Sequence, residues 1–157
     1  MIDEISSLIS AFDVISFDIF DTLLLRPLPD PQDVWRMVKE TSGAKGFAEA
    51  RRTADARTYA AATKCGGETT LDEAYALIPA WACMKDKELA CEDQLLVPNP
   101  EVVALWRKAG ELGKKRVIVS DMYLPAVFVK KLLRDRCRRL YSNGFCDHIR
   151  GNSCAAK

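Results

Sequence analysis

Two short stretches carry the residues of this chain best placed to do chemistry. In the first, the apolar run Val14-Ile15-Ser16-Phe17 leads into Asp18, with Phe20, Asp21 and Thr22 close behind. A carboxylate is ionised at pH 7 and can act as a covalent nucleophile with no base to activate it. In the second, Val117-Ile118-Val119 leads into Ser120-Asp121-Met122-Tyr123-Leu124-Pro125. Taken singly, each has a plainer use: an aspartate can end a strand before a turn, and Ser120 or Asp121 suits a helix N-cap. Two such stretches, each at the end of a strand, argue for a shared site.

The elements around them must bring them together. Val14, Ile15 and Phe17 suit a strand buried on both faces, as in a parallel sheet covered by helices, and residues 115–120 read as a second one. In open α/β sheets ligands bind beyond the carboxyl ends of the strands, which directs Asp18 into that crevice. A short helix over 2–11, striped by Ile5, Leu8 and Ile9, precedes the first strand. Pro27, Pro29 and Pro31 prevent a central strand from continuing. Asp30 is then expected as an N-cap with Pro31 the first helical residue, Asp33 an acid in the first turn, and Val34, Met37 and Val38 facing inward.

An Ala- and Arg-rich helix over 47–64 stops at Gly66-Gly67, and Thr70-Leu71-Asp72-Glu73 forms a capping box for a third helix through Tyr75 and Ile78. Pro79 interrupts, and a further helix passes Trp81 and Leu89 towards Leu95. No strand is expected over 30–98. Asn99-Pro100-Glu101 starts a helix that buries Val102, Val103, Leu105, Trp106 and Ala109 and ends at Gly113. After the second strand, Pro125 opens a helix through Val129, Leu132 and Leu133. The order is that of an α/β protein.

Asp18 followed four residues later by Thr22 resembles the first motif of the haloacid dehalogenase-like (HAD) hydrolases, and Ser120 at a strand end resembles their second. With SFDIFDTLLLRP, SDMYLP, the Glu88/Glu92 pair and Pro98-Asn99-Pro100, the likeness covers roughly residues 12–135. It is to a bacterial subgroup found in surface-polysaccharide gene neighbourhoods, sometimes fused to glycosyltransferases. The resemblance implies a Rossmann-like α/β core over 1–29 and 99–157, its parallel sheet incomplete. It also implies a helical cap over 30–98, inserted after the first strand to exclude water and choose the substrate. Glu88 and Glu92 would line that cap, against the plainer reading of a solvated helix face.

The resemblance further implies a phosphatase reaction on a phosphorylated small molecule such as a sugar phosphate. Asp18 would form an aspartyl-phosphate, Thr22 would orient the loop, and Ser120 would hold a phosphoryl oxygen. The start of the following helix would favour the anion. Mg²⁺ would sit between Asp18 and the main-chain carbonyl of Phe20, and a glycosyltransferase is the implied protein partner.

The chain departs from that pattern in three places. Phosphatases of the superfamily carry an acid where this chain has Phe20, and a missing general acid costs about 10²–10⁴ in rate. Asp21 is the substitute acid/base candidate, and dehalogenase chemistry, which needs no acid there, is a further reading. The third-motif lysine has only Lys157 as a candidate, and no strand ending in paired acids follows Ser120; Asp147 is the only acid after Asp135. These gaps support an alternative: a catalytically impaired HAD-like module for binding or regulation beside a glycosyltransferase. The cysteine-rich, basic stretch after Arg136 leads us to expect that the authentic sequence ends near there, cut short by truncation or frame shift.

Composition narrows the remaining classes. With 157 residues, 48% apolar, 29% charged and a net charge of +1, the chain has no basic excess that calls for nucleic acid. The start Met1-Ile2-Asp3-Glu4 is acidic where a signal peptide is basic, and no apolar run approaches the roughly 20 residues of a membrane span. A cytoplasmic protein with no membrane partner is expected. Cys65, Cys83, Cys91, Cys137, Cys146 and Cys154 include no C-x-x-C pair, which favours free thiols; Cys137, Cys146, His148 and Cys154 match no familiar zinc spacing.

Overall fold

The structure, a computed structural model, describes residues 2–136 and 149–150. The chain is a mixed α/β protein. In order it forms α1 (Ile2–Ser10), β1 (Val14–Phe17), β2 (Leu24–Leu25), α2 (Asp33–Ser42), α3 (Phe47–Cys65) and α4 (Leu71–Ala76). A 3-10 segment (Pro79–Met84) leads into α5 (Lys85–Leu95), followed by β3 (Val97–Pro98), α6 (Pro100–Glu111), β4 (Lys115–Val119), α7 (Ala126–Arg136) and β5 (Ile149–Arg150). Two compact units result. One holds 2–26, 97–120, 129–136 and 149–150; the other, a helical unit, holds Pro27–Leu96 and Asp121–Phe128.

The sheet unit is built on β1-β4-β5, all parallel, with Phe17 level with Ile118 and Ile118 level with Ile149. Its covered face takes alternate residues: Phe17 meets Trp106 of α6 edge-on at 5.0 Å, Arg116 stacks on the same indole at 4.9 Å, and Ile118 is buried. Ile9, Val103, Ala109, Leu132 and Leu133 complete the core. Gly110 lets the Arg116 guanidinium approach; a Cβ there would stand 2.6 Å from it.

The expectation of a sheet buried on both faces does not hold for the described residues. Val14 is 50% exposed and Val119 49%, while Ser16 and Lys115 are exposed as well. These residues alternate with the covered ones, so they share the opposite face. A run of three or four apolar residues cannot distinguish one buried face from two. In α1, Ile9 is buried but Leu8 is 61% exposed, so the expected three-residue stripe narrows to one deep contact.

Other boundaries shift for local reasons. Asp30 does accept a hydrogen bond, from the Gln32 amide at 2.8 Å, but in a turn; the helix begins at Asp33 rather than at Pro31. Val97–Pro98 forms a two-rung antiparallel ladder with Leu24–Leu25, where a turn alone was expected. A two-residue strand is too short to leave an alternating pattern. The helix expected through Trp81 is 3-10 until Met84 and α-helical only from Lys85.

The helical unit follows its signals closely. Thr70 caps α4: its hydroxyl accepts from the Glu73 amide at 3.2 Å, and the Glu73 carboxylate accepts from the Thr70 amide at 2.9 Å. Thr70→Ala should therefore cost about 1 kcal/mol, read as a lower urea midpoint at unchanged slope. Gly66 ends α3 in the left-handed region at φ 65°, where a Cβ would be strained.

Candidate functional site

Asp18 and Ser120 leave the sheet at the same end of neighbouring parallel strands. β1 ends at Phe17 and β4 at Val119, and the register sets Asp18 level with Val119, one residue short of Ser120. Strands so paired lie about 4.8 Å apart. Asp18 is exposed and Ser120 half-buried.

The loop after Asp18 is tightly wound. The Leu24 amide donates to the Ile19 carbonyl at 2.8 Å, and Asp21 takes φ 55°, the only positive φ of a non-glycine among the described residues. Aspartate tolerates that region better than most residues, and backbone strain of this kind concentrates where a loop holds a site. Ile19, Leu23 and Leu24 are fully buried beneath it. Thr22 Oγ1 donates to Asp18 Oδ2 at 3.0 Å, which ties the carboxylate to the loop.

Phe20, at the position where an acid would be expected, is buried, with its ring 5.7 Å from the Arg26 guanidinium carbon, itself buried. Its side chain belongs to the core. Asp21, the substitute, is exposed. The helix expected from Pro125 is present: α7 begins at Ala126, with five residues between it and the serine. Ser120 is accordingly not the N-cap of α7.

No three His, Cys, Asp or Glu side chains among the described residues come together as a metal site. The donors on hand for Mg²⁺ are the Asp18 carboxylate and the Phe20 carbonyl. So few protein oxygens suit a hard cation that keeps most of its waters and takes the rest of its shell from a substrate phosphate. Lys157, Asp147 and the group Cys137, Cys146, His148 and Cys154 lie outside the described residues. No helix among the described residues is long and apolar enough to cross a membrane.

The helical unit holds a polar cluster that sequence reading missed. Glu88 is fully buried, and its carboxylate accepts from Arg51 Nε (3.0 Å) and Nη2 (3.1 Å), Trp35 Nε1 (3.2 Å) and the Tyr75 hydroxyl (2.7 Å). The Arg51 guanidinium, also fully buried, lies 4.6 Å from the Trp35 ring, 5.2 Å from Tyr123 and 5.6 Å from Tyr75. Burial works against the Arg51 charge, but the adjacent Glu88 outweighs it and raises the guanidinium further above neutrality. Burial, reinforced by Glu88, pushes the Tyr75 hydroxyl well above its ordinary range, so it remains a donor. Glu92 is buried too, at 1% exposure. The solvated face considered for the Glu88/Glu92 pair is therefore ruled out.

A periodic signal for this cluster was present. Phe47, Arg51, Ala54 and Thr58 recur at helical spacing and are all buried, so Arg51 stands on the inward stripe of α3. Met84, Glu88 and Glu92 do the same across α5. A charged residue inside such a stripe marks a buried pair.

Cys91 neighbours these acids. Burial, then the charges of Glu92 and Glu88, push its thiol upward, whereas Cys65 and Cys83 are exposed. Alkylation at pH 8 followed by peptide mapping should label Cys65 and Cys83 well before Cys91, because the thiolate is the reacting form. A separate open cavity of about 480 Å³ is walled by α3 and α4, with Arg57, Ala61, Ala62, Cys65 and Leu77 in its lining. It includes neither Asp18 nor Ser120.

Compared with known proteins, the chain matches no family model and no curated protein.

Proposed function

We propose that the chain is a HAD-type hydrolase with a Rossmann-like core, a phosphatase acting on a phosphorylated small molecule such as a sugar phosphate in the cytoplasm. The observation that carries this reading is the pair Asp18 and Ser120 at the same end of adjacent parallel strands, with Thr22 bonded to the Asp18 carboxylate. Asp18 Oδ1 attacks phosphorus and the bond to the leaving oxygen breaks, giving an aspartyl-phosphate. The leaving oxygen takes its proton from water or from Asp21. Water then attacks phosphorus, the bond to Asp18 breaks, and inorganic phosphate departs.

Thr22 keeps the carboxylate aimed during both steps, and Ser120 donates a hydrogen bond to a phosphoryl oxygen. Mg²⁺, when bound by Asp18 and the Phe20 carbonyl, would offset the charge of the phosphoryl oxygens. A glycosyltransferase that uses the dephosphorylated product is the protein partner this reading suggests.

The reading is tested by hydrolysis of p-nitrophenyl phosphate against a sugar phosphate, with Mg²⁺ and with chelator. Because Phe20 supplies no proton, the aryl ester should turn over faster by roughly 10²–10⁴, and chelation should slow both. Equal rates for the two leaving groups would show that an acid is at work and that the role given to Phe20 is mistaken. One observation favours a second reading, a binding or regulatory module: Phe20 is locked into the core beside Arg26. Phosphate binding without turnover of either ester would select the module.

A further inference from the structure

The loop that carries Asp18 runs between two fixed points, both inside the sheet unit. One is the end of β1 at Phe17. The other is residues 23–25: the Leu23 carbonyl accepts from the Asn99 amide at 2.9 Å, and Leu24 and Leu25 pair with Pro98 and Val97. Between them lies Asp21, whose φ of 55° is a strained conformation that persists only where the surroundings impose it. Phe20, next to it, is buried, and its ring lies 5.7 Å from the guanidinium carbon of Arg26. Arg26 follows β2 directly, at the pinned end of the loop, and is itself only 8% exposed.

We propose that Arg26 is a positioning residue for Asp18: its guanidinium holds the Phe20 ring against the pinned end of the loop, and the ring holds the turn from which the Asp18 carboxylate attacks. This deepens the hydrolase reading and rests on it. A cation within about 6 Å of a ring centroid is attracted to its face, and the attraction grows once water is excluded. Both partners here are buried, which meets that condition. Position 20, which offers no proton, then serves as the anchor of the loop. Two peptide steps span at most about 7 Å, so a held Phe20 leaves Asp18 little room to wander. Thr22 ties the carboxylate from the far side of the turn at 3.0 Å. The two ties together keep the attacking oxygen within the roughly 0.5 Å that a catalytic geometry tolerates.

Arg26→Met removes the charge and keeps a long apolar stem, whereas Arg26→Lys keeps a cation. In the full chain, Arg26→Met should raise hydrogen exchange of the amides of residues 19–24 about tenfold and leave β4 and α6 protected. It should lower kcat for p-nitrophenyl phosphate about tenfold with little change in KM, and Arg26→Lys should recover most of the loss. Phe20→Leu, which removes the ring, should match Arg26→Met. The double variant Arg26→Met/Phe20→Leu should be no slower than either single one, because both remove the same contact.

Unchanged exchange over 19–24, an unchanged kcat, no recovery in Arg26→Lys, or losses that multiply in the double variant overturns the proposal. Exchange that rises equally in β4 and α6 overturns it too, because Arg26 would then stabilise the whole unit and not the loop. A wild-type chain inert towards the aryl ester and unable to bind inorganic phosphate overturns the hydrolase reading instead. The exchange measurement then still decides whether the pair holds the loop. If Arg26→Met fails to fold, Phe20→Leu carries the same measurements; raised exchange at 19–24 with β4 protected supports the proposal, and unchanged exchange overturns it.

Discussion

Replacing Arg51 with alanine lowers the free energy of unfolding by about 3–5 kcal/mol, the usual consequence of leaving a buried charge without its partner. Glu88 has no exposure, and Arg51 supplies two of its hydrogen bonds and the cation beside it. Once Arg51 is gone, Trp35, Tyr75 and Tyr123 still donate to Glu88, but neutral donors do not balance a charge removed from water. Urea unfolding followed by circular dichroism measures the loss.

Replacing both partners with apolar residues, as in Arg51→Met with Glu88→Leu, should recover part of it, since neither charge is then buried. Recovery stays incomplete because the Trp35 and Tyr75 donors lose their acceptor, at about 1–3 kcal/mol each. Contrast is available nearer the surface: Lys39 and Glu49 pair at 2.8 Å with Lys39 half-buried and Glu49 exposed, and breaking that pair should change little. An Arg51→Ala midpoint indistinguishable from wild type would mean that the pair is not sealed from water.

Asp18→Asn should reduce phosphomonoester turnover at least about 10³-fold, the scale seen when a covalent nucleophile is removed. The amide preserves shape and can still accept from Thr22, so the loop need not rearrange, but it is a very poor nucleophile. Because Asp18 is exposed and the amide keeps the Thr22 bond, the melting temperature should stay close to that of the wild type. Rapid acid quench with labelled substrate gives a second reading: the wild type should trap phosphate on the protein and the variant should trap none. A variant that retains the wild-type rate would show that Asp18 is not the attacking group, whatever ester is cleaved.

Much of the architecture follows from local rules that act within a few residues. Thr70 and Glu73 satisfy each other's amides wherever the chain goes, so the α4 start was legible. Gly66 is tolerated at positive φ and ends α3 for the same kind of reason. Asn99 and Pro100 open α6, where the Asn99 side chain accepts from the Glu101 amide at 3.2 Å. The two apolar runs before Asp18 and Ser120 are strands, as their branched residues indicate.

What the sequence by itself determined, then, is the helices, the two principal strands and the acid-and-serine pair at their ends, since propensity, capping and periodicity are properties of neighbouring residues. Partner-dependent features were settled only by the tertiary structure. Among the described residues the sheet has one covered face, where Phe17 and Arg116 meet Trp106, and four apolar residues in a row cannot say how many layers will meet them. Phe20 turned into the core because Arg26 receives its ring, which no spacing rule foretells. Glu88 became a buried anion because Arg51, 37 residues earlier on another helix, lies opposite it. Burial of a charge is a property of the pair, and the pair exists only once the chain has folded.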